Sequence, residues 1–250
     1  MFGLLSGYTW LRSIGDEVFA PRQIGSFEQA IFGVVPSEFL QRHIYERDVI
    51  WLDFIGYLFH VSWFMVPYFV AFAILVRAPH RLLEYFGWVI LTHYVGAVFY
   101  IFFPVEPPWM ELGATRVLDE RVFIPFTRAD NNPVAAFPSL HCALPMSIAL
   151  FFLLRMRSRR WAVVFAAWGM GISFFVVYLG EHWVIDVAGG WLLAAFVAWL
   201  ATSPVLAAAI RALPGDPAVR IRRFNRHAFP APSRVRPVQL PRVPGVKEAA

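Results

Sequence analysis

Two residues near the start of an apolar stretch, His182 and Asp186, are spaced as a directed base or nucleophile would need. Four positions apart on a helix means one face and one turn, so the carboxylate can hold one imidazole nitrogen and raise the basicity of the other. An Asp at the centre of a membrane span costs roughly 2.5 to 3.5 kcal/mol on insertion scales and therefore needs a partner. The plainer reading of the same spacing is a structural His–Asp hydrogen bond at a helix end. A second group is Phe137-Pro138-Ser139-Leu140-His141. Proline is favoured at the first helical position, so this spacing predicts a helix start. The free amides and positive dipole of that end would bind an anion, with Ser139 as an added donor and His141 one turn inside. Taken alone, the group is also what a capping serine and a packed histidine look like.

The elements that must carry these residues are membrane spans. Of 250 residues, 58% are hydrophobic and 16% charged, against about 25% charged in an average soluble domain. The apolar residues fall in long blocks at 54–76, 82–103, 134–154, 161–179 and 183–200, each near the roughly 20 residues a span requires. The expected fold is all-α, a polytopic transmembrane helical bundle of about five spans, preceded by N-terminal interfacial helices.

Three regions follow from the charge pattern. Residues 1–50 mix Arg12, Asp16, Glu17, Arg22, Glu28 and Glu38 with apolar runs too short to span, and a cleaved signal peptide is not expected there. Residues 51–205 form the membrane domain. Residues 206–250, rich in proline and arginine, are expected to be a disordered basic tail. Its charge reads as a solvated topological signal rather than a nucleic-acid site, although such segments attract anionic headgroups. The lone Cys142 excludes an intramolecular disulfide.

Arg77 and Arg81 follow the first span, Arg155, Arg157, Arg159 and Arg160 follow the third, and the basic tail follows the fifth. By the positive-inside rule these ends are cytoplasmic, in the plasma (inner) membrane. The third and fifth spans then both begin on the outer side, so Ser139, His141, His182 and Asp186 can converge at one depth. A nucleophilic His fixed by an Asp, a second His able to protonate a leaving oxygen, and an anion-binding helix end together describe phosphoryl transfer from a phosphate ester.

At these residues the sequence resembles the type 2 phosphatidic acid phosphatase (PAP2) superfamily. Phe137 to His141 matches its second signature, and Gly180-Glu181-His182 with Asp186, Gly189 and Gly190 matches its third. The resemblance implies that His182 attacks phosphorus, Asp186 orients it, His141 protonates the leaving group and Ser139 binds phosphate. It implies a lipid phosphate as substrate, and no metal or cofactor. The first signature, a lysine followed by Arg-Pro, is replaced by Tyr100-Ile-Phe-Phe-Pro104-Val-Glu-Pro107-Pro108-Trp109, and Phe175 and Val176 stand where the third normally opens with Ser-Arg. That pattern is similar to the branch containing inositol phosphorylceramide synthase, so an inositolphosphoryl-type transferase stands beside a phosphatase. Arg128 is assigned to the phosphate, with Arg121 and Arg116 as its alternatives in the outer loop.

Other residues carry weaker readings. His60 and His93, counted along their spans, lie some 10 to 15 Å deep, away from His141 and His182, and would pack or support the site rather than ligate a haem. A metal on His141, His182 and Asp186 is disfavoured by the Pro-Ser-x-His context. Trp109, Trp183 and Tyr178 suit an aromatic belt. A noncatalytic lipid-binding or transport protein would not need Ser139, both histidines and Asp186 together.

Overall fold

The computed structural model describes Trp10 and residues 18–45, 50–121 and 134–204. Among them the fold is an all-α polytopic bundle. Two short helices, α1 (Gly25–Phe32) and α2 (Pro36–His43), lead into α3 (Ile50–Arg77) and α4 (Leu82–Phe102). Two more short helices, α5 (Pro108–Glu111) and α6 (Val117–Arg121), precede α7 (Leu140–Leu154), α8 (Arg159–Tyr178) and α9 (Val184–Thr202). Extended backbone at Arg22, Val105 and Ala135 pairs only as isolated bridges.

Four helices, α3, α4, α8 and α9, are long and apolar enough to cross a bilayer. The chain is an integral membrane protein. Their outward faces carry large exposed apolar side chains, among them Phe69, Phe72, Val163, Leu192 and Trp199, which suits hydrocarbon as solvent. The interior is joined by polar contacts between helices: Thr92 with Ser147 at 2.9 Å, Trp168 Nε1 donating to Ser62 Oγ at 2.8 Å, and Trp191 Nε1 to Ser173 Oγ at 3.2 Å. Such bonds and close packing hold helices together where lipid offers no hydrophobic drive.

Helix α7 is the centre of the bundle and packs against α3, α4, α8 and α9. It has 15 residues, about 22 Å at 1.5 Å per residue, short of the roughly 30 Å hydrocarbon core. Its sequence-predicted span at 134–154 is therefore helical only from Leu140, and Pro138 lies two residues ahead of the first helical position rather than on it. The reason is Ser139, whose extended backbone makes it the N-cap, with its hydroxyl accepting from Cys142 N at 3.4 Å. Tyr100 further secures the turn by donating to Pro138 O at 3.0 Å.

Glu84, at the start of α4, contacts both Arg81 and Arg155. The connections α3–α4 and α7–α8 thus share one end of the bundle. The opposite end carries His141 and His182, covered by α1, α2 and the 104–121 loop. Gln41 of α2 stitches this cover down, donating to Thr115 O at 2.8 Å and Tyr178 O at 3.1 Å. Arg128 and the tail at 206–250 lie outside the described residues.

Candidate active site

His182 sits in the turn between α8 and α9, two residues before α9 begins. The turn is possible because Gly180 has φ +79°, and a Cβ there would lie 2.9 Å from Thr115 O. Sequence spacing placed His182 and Asp186 on one helical face. Instead His182 precedes the helix and Asp186 is in its first turn. One carboxylate oxygen, Oδ2, accepts from Trp183 N at 2.9 Å and lies 3.3 Å from His182 Nδ1. Asp186 is thus both a helix cap and the partner of His182, which combines the structural and the chemical reading of the pair. Asp186 is wholly buried and His182 is 5% exposed. Asp186 Oδ1 has no hydrogen-bond partner among the described residues.

The two constellations meet directly. Ser139 N donates to Asp186 O at 3.0 Å, and His141 Nδ1 lies 3.1 Å from His182 Nε2. One proton arrangement satisfies the chain of contacts: His182 Nδ1–H toward Asp186, and His141 Nδ1–H toward the lone pair of His182 Nε2. The glycines of the third motif allow this approach. A Cβ on Gly190 would stand 2.4 Å from Ser139 O, and one on Gly189 would stand 2.5 Å from Phe137 Cε2. Only a residue without a side chain lets α9 and the 137–139 turn come so close.

His141 is framed by rings from α3. His60 stacks on it with centroids 4.7 Å apart, and Trp63 lies at 4.8 Å while its Nε1 donates to Leu140 O at 3.0 Å. The expectation that His60 lies far below the site is corrected. The site is itself sunk into the bundle, because α7 starts late and residues 134–139 form the descent. His93 packs on Trp63 at 6.0 Å and contacts Val89 O through Nδ1 at 2.7 Å, in a supporting position. Trp183 and Tyr178 are fully buried and so are not belt residues. Trp183 Nε1 donates to Glu106 O at 2.6 Å, and the Tyr178 hydroxyl donates to Asp53. Burial suits them because each ring's polar atom reaches an acceptor.

Of the candidate outer-loop arginines, Arg116 is the one whose side chain is described at this end. It grips Glu181, the neighbour of His182, through Nε at 2.8 Å and Nη2 at 3.2 Å, with its guanidinium 4.6 Å above the Trp109 ring. Phe175 and Val176 are buried apolar residues. The roles of Glu181, Trp63 and the acidic residues of the cover left no trace in local patterning, since their partners are far along the chain.

The PAP2 superfamily model matches residues 22–200. Among curated proteins, the chain is 25% identical over 231 residues to phosphoinositol dihydroceramide synthase of Bacteroides thetaiotaomicron, covering 80% of this chain and 73% of that protein. No solved structure matches significantly.

Proposed function

Because the chain belongs to the PAP2 superfamily, we propose that it is a membrane enzyme that transfers the phosphoryl group of a lipid phosphate through a covalent intermediate on His182. The contact between His182 and Asp186, with His141 Nδ1 at 3.1 Å from His182 Nε2, carries this reading. His182 Nε2 attacks phosphorus and forms an N–P bond as the bond to the leaving oxygen breaks. His141 gives that oxygen a proton. The acceptor hydroxyl, from water or an alcohol, then returns a proton to His141 as its oxygen takes phosphorus and the N–P bond breaks. Asp186 stabilises the positive imidazole, and Ser139 with the first amides of α7 receives the phosphoryl oxygens.

The contact between the histidines describes a resting state. Phosphorus waits about 3 to 3.5 Å from its nucleophile, and the leaving oxygen on its far side takes a hydrogen bond of about 2.6 to 3.2 Å from the acid. The two nitrogens must therefore part well beyond their 3.1 Å contact when substrate enters.

The apolar Phe175 and Val176 favour a transferase over a phosphatase. A phosphate monoester brings two negative charges and a diester one, so a site lacking the superfamily's Ser-Arg pair suits a diester donor. The likeness to a phosphoinositol dihydroceramide synthase points the same way. Purified protein given a labelled inositol phosphodiester lipid and a ceramide-type alcohol is expected to move label onto the alcohol, with chelator making no difference. Phosphate release from a monoester lipid alone would make it a phosphatase. Turnover of neither would leave a noncatalytic lipid-binding protein.

The orientation has its own test. The arginine-bearing end is cytoplasmic and the site faces outward, so a membrane-impermeant thiol reagent applied to intact cells is expected to label Met110→Cys and not Arg159→Cys. Both positions are exposed, and the native Cys142 is buried. The reverse labelling would put the site on the cytoplasmic face.

A further inference from the structure

Helix α1 lies outside the motifs that carry the chemistry, yet it brings a fully buried acid to them. Glu28 Oε1 accepts from Ile185 N at 3.1 Å, across 157 positions of sequence. Ile185 is in the first turn of α9, next to Asp186. Helix α1 is anchored in the same manner from the other side. The two carboxylate oxygens of Glu111 accept from Ile24 N and Gly25 N, both at 2.8 Å. Gly25 also abuts the Trp183 ring, since a Cβ there would meet Trp183 Cη2 at 3.0 Å. Three carboxyl groups are thus placed in series on helix N-termini: Glu111 on α1, Glu28 on α9, and Asp186 on the Trp183 amide beside His182. Each satisfies backbone donors that a helix start leaves unpaired.

We propose that Glu28 is a positioning residue of the catalytic centre, holding the first turn of α9 so that Asp186 presents His182 to the substrate. The inference rests on the catalytic assignment of His182 and Asp186. It makes the N-terminal segment part of the active site rather than a peripheral interfacial helix. The second oxygen, Glu28 Oε2, is buried with no partner among the described residues, so the carboxyl is held through Oε1. Burial raises the Glu28 carboxyl to about 7, with the charges of Asp186 and Glu111 adding to the rise and the Ile185 and Val184 amides opposing it. The folded protein thus favours the neutral acid. Its contribution to stability is fully present below about 4.5 and is lost as pH rises through about 7.

The test compares Glu28→Gln, which keeps the acceptor but cannot ionise, with Glu28→Ala, which loses it, and Glu28→Asp, which keeps the carboxyl but withdraws the reach. Ala and Asp are expected to lower kcat on the order of 10- to 100-fold, the scale of a small misplacement, with KM within about 2-fold of wild type. Gln is expected to keep most of kcat, and its thermal midpoint should lack the decline that wild type shows between pH 4.5 and 7. Hydrogen exchange at Ile185 is expected to quicken in Ala and Asp and to stay slow in Gln. Wild-type kcat in a folded Ala or Asp variant, or a loss in Gln as deep as in Ala, would overturn the proposal. Should Ala not fold, Asp and Gln decide. If the wild type turns over no phosphate ester, the functional reading falls by itself. The clamp is then judged by exchange alone, and unchanged exchange in Asp overturns it.

Discussion

A labelled phosphoryl group taken from substrate is expected to remain on the wild-type protein, after acid-free quenching, as an acid-labile, base-stable adduct that His182→Ala does not form. The expectation follows from the position of Nε2, whose partner nitrogen Nδ1 faces a buried carboxylate at 3.3 Å. Such a nitrogen keeps its lone pair outward and its ring fixed. Loss of the nucleophile should cost turnover on the order of 10⁴- to 10⁶-fold, the scale seen when one member of a covalent catalytic unit is removed. His141→Ala is the informative companion. It should slow adduct formation when the leaving group is an ordinary alcohol and matter far less for an activated aryl phosphate, whose oxygen needs no proton. Removal of His182 takes away a side chain from the 180–183 turn, so retention of fold is checked by thermal melting. A well-folded His182→Ala protein with normal turnover would return the His–Asp contact to a purely structural role.

Asp186→Asn should lose on the order of 10²- to 10⁴-fold in kcat while the protein keeps its fold. Asp186 Oδ2 serves both the Trp183 amide and His182, and an amide oxygen in its place can accept from both. The helix cap survives. The charge that stabilises a positive imidazole does not, and the amide's NH₂ falls where Oδ1 has no described partner. The loss should therefore appear in adduct formation rather than in substrate binding, with kcat and kcat/KM falling together. Equal rates in Asn and wild type would remove Asp186 from the chemistry and leave it as the cap of α9.

Much of the architecture was legible because a bilayer makes structure local. Backbone groups in hydrocarbon must be satisfied within their own segment, so long apolar blocks become helices whatever surrounds them. The apolar blocks at 54–76, 82–103, 161–179 and 183–200 are helical for this reason, and α3, α4, α8 and α9 occupy them. The two chemical motifs were legible for a related reason: each binds its partners over a few residues, Ser139 with Cys142 and His182 with Asp186. Even here the local rule failed in detail. Ser139 takes the cap that proline was expected to open, and His182 leaves the helix.

What the chain by itself did not determine depends on distance along it. His141 meets His182 across 41 positions, Trp63 reaches Leu140 across 77, and Glu28 reaches Ile185 across 157. No periodicity encodes such pairs, because each is fixed only when helices distant in sequence have packed together. The tertiary structure also decided burial. Trp183 and Tyr178 look like interfacial aromatics by composition, yet acceptors at Glu106 and Asp53 allow both to be sealed inside. Sequence thus determined which residues carry charge, protons and spans. Packing decided that the 137–139 turn sinks below the helix ends, bringing His60, His141 and His182 into contact and placing an acid of the N-terminal segment on the helix that carries Asp186.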